Sequence, residues 1–332
     1  MKTILSLCMA LFIIGNSYAN PNPKRKKLLD KTFSILEANV ANPAWLDTQD
    51  YQNFKASLYS DAAMDLSKED FDALVKKERE KLPFTHFQLN RIPRKKKSQA
   101  KSTSSASAPI VSWKELQPNT AYLQIRSFSI RAQPVLKAVS EIGSKNYDNL
   151  IIDLRNNTGG NLEGPIAVGT FLTNQPIDAG VFLTRKWYEQ HHRPATHKEI
   201  QSLPFLMDMT YQGISKMFQE EAGFRMVIPA RNNPVFTGKV YVLINENTAS
   251  ANEPLIELLQ RGKIATLVGT KSAGAMLSAE FFTVNKKYRT FIPIADYITA
   301  TGHRIDKVGV SPDIEVDPAK ALDYVLENVI NK

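Results

Sequence analysis

The residues best suited to chemistry stand in one stretch, 239–276, which reads KVYVLINENTASANEPLIELLQRGKIATLVGTKSAGAM. Val240, Tyr241, Val242, Leu243 and Ile244 form an unbroken apolar run, the pattern of a strand buried on both faces. After a polar turn, Ser250 followed three positions later by Glu253 reads as a capping box, with Pro254 in the first helical turn. Strand, tight turn and helix place Ser250 at a helix N-terminus above a buried sheet. Unpaired N–H groups and the positive end of the helix dipole converge there. A serine nucleophile in that place could pass its charge to backbone N–H groups. The alternative is a serine that only caps its helix, and Ser-x-x-Glu by itself does not separate the two.

A second stretch, 149–162, reads NLIIDLRNNTGGNL: an apolar strand, then Asn156-Asn157-Thr158-Gly159-Gly160. Together with TASANE around Ser250 and LVGTKSAGA at 267–275, it resembles the C-terminal processing peptidases and the tricorn-type serine peptidases related to them. The three blocks come in that family's order and span most of residues 111–318. The resemblance implies that Ser250 is the nucleophile. It also implies that the N–H groups of Gly160 (or Gly159) and Ala251 form the oxyanion hole.

One departure from the family decides which branch is expected. C-terminal processing peptidases take a lysine base from a block of the form T-x-G-K, and alanine, Ala275, stands where that lysine would be. Lys271 lies four positions early and reads as a surface residue. The tricorn-like branch uses serine, histidine and an acid. Its histidine directly follows a Ser or Thr in a block before the core, and Thr85-His86 fits that place. Its acid lies three positions before the glycine of a GV-x-PDI ending, where this chain carries Asp306, Gly309 and Pro312-Asp313-Ile314. The resemblance thus implies Ser250, His86 and Asp306 as the catalytic set, with no cofactor.

Around these residues the chain alternates strand and helix. Strands are predicted at 121–128, near Leu150, at 264–268, 280–284 and 288–294, with helices over 134–142 and after Gly164-Pro165. That order gives an α/β core with a mostly parallel sheet, and the resemblance implies the ββα-spiral (crotonase/ClpP-like) fold. Residues 20–92 show helical spacing of Phe33, Leu36, Val40, Tyr51, Phe54 and Leu58 and are expected to form a small helical domain in front of the core. Residues 93–110, PRKKKSQAKSTSSASAPI, are too basic and too rich in Ser and Ala to build a core and read as a linker. Residues 111–332 make the peptidase core, with a Met- and aromatic-rich helical insertion at 185–236 expected as a lid or substrate wall. No PDZ-type segment is expected between His86 and the core.

Residues 1–19 read as a signal peptide: Lys2, an apolar core Ile4–Ile14 too short to span a bilayer, and Ser17-Tyr18-Ala19 before the cut. The single cysteine, Cys8, lies within it, so the remaining chain has neither disulfides nor thiol chemistry to offer. A periplasmic or secreted protein is expected. The formal charge of +9 is concentrated in Lys24–Lys27 and the linker. With no interleaved aromatics, that run does not point to nucleic acid; contact with an anionic surface through the linker stays open. His191, His192 and His197 lack acidic or cysteine partners at ligand spacing, so no metal is expected. Two rivals accompany the serine peptidase reading, in which the partner is an unfolded protein or peptide substrate. One is an inactive apolar-ligand or peptide-binding protein on the same scaffold. The other is a Ser–Lys peptidase.

Overall fold

A computed structural model describes residues 22–93, 108–208, 210–228, 232 and 234–330 of the 332-residue chain. The signal-peptide reading and most of the basic linker lie outside the described residues.

The first unit is helical: α1 (Pro23–Asn39), α2 (Gln49–Tyr59), α3 (Asp61–Asp65) and α4 (Lys68–Glu78). Each begins on a side-chain cap, from Asn22, Thr48, Ser60 and Ser67 respectively, which satisfies N–H groups that the helix leaves unpaired. Leu29, Phe33, Leu36, Tyr51, Phe54 and Leu58 form its core. The spacing of these residues made that legible. Arg25 behaves differently from the solvated basic run of which it is part. Its guanidinium donates to the carbonyls of Met64 and Leu66 at 2.7 and 2.8 Å and lies over the Phe71 ring, tying α1 to the α3–α4 turn.

From here the chain does not pass straight into a tether. Strand β1 (Gln88–Arg91) comes first; after the linker follow β2 (Val111–Gln117), β3 (Thr120–Ile125), α5 (Gln133–Ile142), β4 (Asn149–Asp153), α6 (Glu163–Leu172) and β5 (Ile177–Thr184). Then come α7 (Arg185–His191), α8 (His197–Ser202), α9 (Tyr211–Glu220), β6 (Gly223–Ile228), β7 (Lys239–Ile244), α10 (Asn252–Arg261), β8 (Thr266–Gly269), β9 (Leu277–Asn285), β10 (Tyr288–Ile298), β11 (Ile314–Glu315) and α11 (Ala321–Val325).

The central sheet has the order β11-β8-β7-β4-β3-β2, parallel except for the β2–β3 hairpin. Its middle strands are apolar on both faces for a visible reason. Val240, Val242 and Ile244 of β7 pack into the main core with Leu255, Ile256 and Leu259 of α10. Tyr241 and Leu243 turn to the opposite face, which α11 covers with Ala321 and Val325. The α/β core expected from the sequence is present.

The second sheet is antiparallel. β10 pairs with β9 along one edge, and β1 and β5 take the two ends of the other, with β6 beyond β5. Two expectations change here. The insertion at 185–236 is not helical throughout: α7, α8 and α9 are followed by β6, whose Phe224, Met226 and Ile228 alternate into the main core. A period of two within a Met- and aromatic-rich segment marks a strand. The helical unit, moreover, packs on the core as well as being joined to it along the chain. β1 enters the second sheet immediately after His86, and Leu277 and Ile292 from β9 and β10 complete the helical unit's core.

Candidate functional site

The site is built on the ends of β4 and β7. After β7, Thr248 Oγ1 donates to the Leu154 carbonyl at 2.9 Å, and Ala249 N donates to the Asn157 carbonyl at 3.0 Å. Ser250 follows with φ of +57°, a left-handed conformation that is uncommon for serine and sets a sharp strand-to-helix corner. Ser250 does not cap the helix with its side chain. The cap residue is Ala251, and it offers no side-chain hydrogen bond. Only the reverse half of the expected box forms: Glu253 accepts from the Ser250 N–H at 3.0 Å. Among the described residues, the Ser250 hydroxyl has no hydrogen-bond partner in the protein.

Glu253 is fully buried and does more than the sequence suggested. Its carboxylate also accepts from Gly274 N (2.7 Å), Ala275 N (2.8 Å) and Ser272 Oγ (2.7 Å). It therefore fastens the Ser250 corner to the turn around Ala275. Burial raises its pKa, and the four donors pull the other way.

The NNTGG loop meets the corner from β4. Asn157 Oδ1 accepts from Gly159 N at 2.9 Å, and Asn252 Nδ2 donates to Asn157 Oδ1 at 3.1 Å and to the Asn157 carbonyl at 2.8 Å. Both asparagines are fully buried, and their place inside the two motifs was the only sequence signal for them. The two glycines are demanded by contact. A Cβ on Gly159 would stand 2.7 Å from Ser250 Cβ; one on Gly160, at φ of +148°, would stand 2.1 Å from the Phe128 carbonyl carbon. Among the described residues, the N–H groups of Gly160 and Ala251 donate to no protein acceptor, whereas their neighbours Gly159, Asn161, Ser250 and Asn252 all do.

Gly160, Ser250, Ala251 and His86 line one cleft of about 320 Å³. Phe182, Ile214, Phe218, Met276 and Phe291 give it apolar walls; Ile214 and Phe218 come from α9 of the insertion. Lys271 is exposed and does not line it.

His86 arrives from the helical unit with φ of +66°. Burial lowers its pKa from 6.5 to about 4. Asp306 does not bond to the imidazole directly. Thr85 lies between them: its Oγ1 is 2.7 Å from His86 Nδ1 and 2.5 Å from Asp306 Oδ1. The other carboxylate oxygen accepts from Thr85 N at 3.2 Å and from Arg304 Nη2 at 3.2 Å. Burial raises the Asp306 pKa from 3.8 to about 6, against the Thr85 hydrogen bond and the Arg304 charge. Thr85 is the residue that sequence reasoning used only as a marker for its neighbour. Arg304 was missed altogether. It also bonds to Asp296 at 3.1 Å, donates to the Pro83 carbonyl at 3.3 Å and lies over the Trp45 ring.

An ionised Asp306 can only accept, so Thr85 donates its one hydroxyl proton to it and accepts from Nδ1–H of His86. That assigns the proton to Nδ1 and leaves Nε2 with a free lone pair. The remaining histidines are elsewhere: His191 stacks on Trp187 with ring centres 3.8 Å apart. Among the described residues, no group of three His, Cys, Asp or Glu is placed to hold a metal ion, and no helix is long and apolar enough to cross a membrane.

Comparison with known proteins gives the following. Peptidase family S41 matches residues 119–316. A carboxyl-terminal-processing protease of Picosynechococcus sp. is 27% identical over 206 residues, covering 62% of this chain and 41% of that protein. The carboxy-terminal processing protease CtpA of Bacillus subtilis is 26% identical over 202 residues, 60% of this chain and 35% of that protein. The matches thus span about two fifths or less of those relatives' length. Among solved structures, a lipoprotein from Streptococcus agalactiae superposes with a TM-score of 0.55 at 15% identity over 91% of this chain and 96% of that one. A photosystem II D1 C-terminal processing protease gives 0.52 at 15%, over 92% and 98%. These likenesses establish the fold, helical unit included.

Proposed function

Because the chain belongs to peptidase family S41, we propose that it is an exported serine peptidase that hydrolyses peptide bonds of unfolded proteins or peptides by a Ser250–His86–Asp306 mechanism. Ser250 Oγ attacks the scissile carbonyl carbon as His86 Nε2 takes its proton. The oxyanion settles on the N–H groups of Gly160 and Ala251, and such a donor typically contributes about 3–4 kcal/mol to the transition state. His86 then protonates the leaving amine, and a water molecule releases the acyl group by the same route in reverse. Asp306 acts through Thr85, holding the proton on Nδ1.

The observation that supports this reading most is that, among the described residues, neither N–H group donates to a protein acceptor, beside a left-handed serine in a cleft that also contains His86. A serine-directed phosphonate probe tests it. Wild-type protein is labelled at Ser250 and cleaves an unfolded substrate; Ser250→Ala and His86→Ala do neither at a comparable rate. Cleavage retained by His86→Ala would place the base elsewhere. Export is tested by sequencing the N-terminus of protein recovered from periplasm or medium, with Asn20 expected first.

A further inference from the structure

Arg304 stands between two buried carboxylates, of which only Asp306 takes part in the relay to His86. Its Nη2 donates to Asp306 at 3.2 Å and its Nε to Asp296 of β10 at 3.1 Å. Both aspartates are buried. Among the described residues, Arg304 is the one cation within ion-pair distance of either. Their other partners are uncharged donors. The Tyr188 hydroxyl from α7 (2.8 Å) and Tyr297 N (3.0 Å) donate to Asp296, and Thr85 N and Oγ1 donate to Asp306. The neighbouring cation, Lys307, turns away to the Glu80 carbonyl at 2.8 Å. Arg304 is itself seated by the helical unit: Nη1 donates to the Pro83 carbonyl at 3.3 Å, and the guanidinium lies 4.8 Å from the centre of the Trp45 ring.

This placement bears on the state of the relay. Thr85 donates to Asp306, and so accepts from Nδ1–H of His86, only while the carboxylate is charged. A buried carboxylate keeps its charge when a cation stands beside it and takes up a proton when that cation is removed. The charge of Arg304 opposes the burial that raises the Asp306 pKa, and the charge of Asp296 adds to that burial. We propose that Arg304 is a positioning residue for catalysis: seated on Trp45 and Pro83 and shared with Asp296, it keeps Asp306 an acceptor for Thr85 and thereby holds the His86 proton on Nδ1. The helical unit then contributes the seat of this cation as well as the histidine, and its docking completes the relay. The inference rests on the peptidase reading for its kinetic test.

The test is the profile of kcat/KM on an unfolded substrate across pH 4 to 9 for the full-length protein, with circular dichroism at each pH to confirm folding. In Arg304→Met the acid limb is expected to rise by about one to two pH units, the effect of losing an opposite charge at this distance. The rate relative to wild type then falls about tenfold further at pH 6 than at pH 9. Arg304→Lys keeps the charge and is expected to place its limb between the two. Asp296→Asn removes the competing negative charge and is expected to move the limb down. Should Arg304→Met not fold, the last two variants carry the test with opposite signs. Loss by one factor at every pH, with the limb unmoved, is what a merely structural arginine gives and overturns the proposal. Nitrogen NMR of His86 in the Ser250→Ala background reads the tautomer without turnover. The pH at which the proton passes from Nδ1 to Nε2 is expected to rise with Arg304→Met. That rise with no cleavage by wild type sinks the peptidase reading and keeps the role of Arg304, whereas an unmoved tautomer sinks the role.

Discussion

The hydroxyl of Thr85 lies 2.5 Å from a carboxylate oxygen of Asp306, 221 positions further along the chain. Here the distance to the imidazole is bridged by a threonine. The donor order along this bridge depends on the charge of Asp306, which makes it sensitive to pH and to isosteric change.

With Asp306 ionised, Nδ1 of His86 carries the proton. With Asp306 protonated, the hydroxyls can reverse, Thr85 donating to Nδ1 and the proton moving to Nε2, where it blocks the base. The acid limb of kcat/KM should therefore fall near the Asp306 pKa of about 6, not at the His86 value of about 4. A rate profile across pH 4 to 9 measures this. An acid limb below pH 5 would contradict it.

Asp306→Asn should be far more damaging than its size suggests. Thr85 N and Arg304 both donate to one carboxylate oxygen, so the amide oxygen belongs there and its NH2 must face Thr85 Oγ1. That fixes the wrong histidine tautomer, a defect worth about 10⁴-fold in kcat in the well-studied serine triad. Thr85→Val should cost about 10²-fold or more, and Thr85→Ser should recover most of it.

The lowered pKa of His86 also enters stability. Between pH 6.5 and about 4 the unfolded chain binds a proton that the folded imidazole refuses, so stability from this group is complete above 6.5 and is lost as pH falls through that window. His86→Gln should therefore gain in Tm relative to wild type as pH is lowered from 7 to 4.5. A difference that stays constant with pH would refute the burial argument.

Glu253→Gln leaves four donors converging on one oxygen and an NH2. At least one N–H must lose its acceptor, at a cost of about 2–3 kcal/mol in unfolding free energy. Because Ser250 N and Ala275 N are among the four, kcat should drop with little change in KM. Denaturant titration and steady-state kinetics check the two parts.

Lys271→Ala should leave cleavage within about twofold of wild type, since exposed surface substitutions change little. Ser250→Ala should abolish it. A Lys271→Ala protein as inactive as Ser250→Ala would restore the Ser–Lys rival.

Some of this was determined by local sequence. The apolar runs at Leu150 and Val240 could only be strands buried on both faces, and Gly159-Gly160 marked a backbone too close to its neighbour for a side chain. Periodicity and contact at short range write those features into consecutive residues. Tertiary structure alone decided the rest. The alternation of Phe224, Met226 and Ile228 is a strand's period carried by only three residues, and pairing with β5 is what decides it against a helical insertion. Ser250 reads as a cap because Ser-x-x-Glu is the pattern of one. The corner instead takes a left-handed turn at Ser250, and Glu253, while accepting from the Ser250 N–H, also accepts from Gly274, Ala275 and Ser272. Thr85 stands 221 positions before Asp306 and meets it and its near neighbour Arg304 only when the helical unit shares Leu277 and Ile292 with the second sheet. A hydrogen bond is made by position in space, and single residues separated by most of the chain carry no periodic signal of where they will meet.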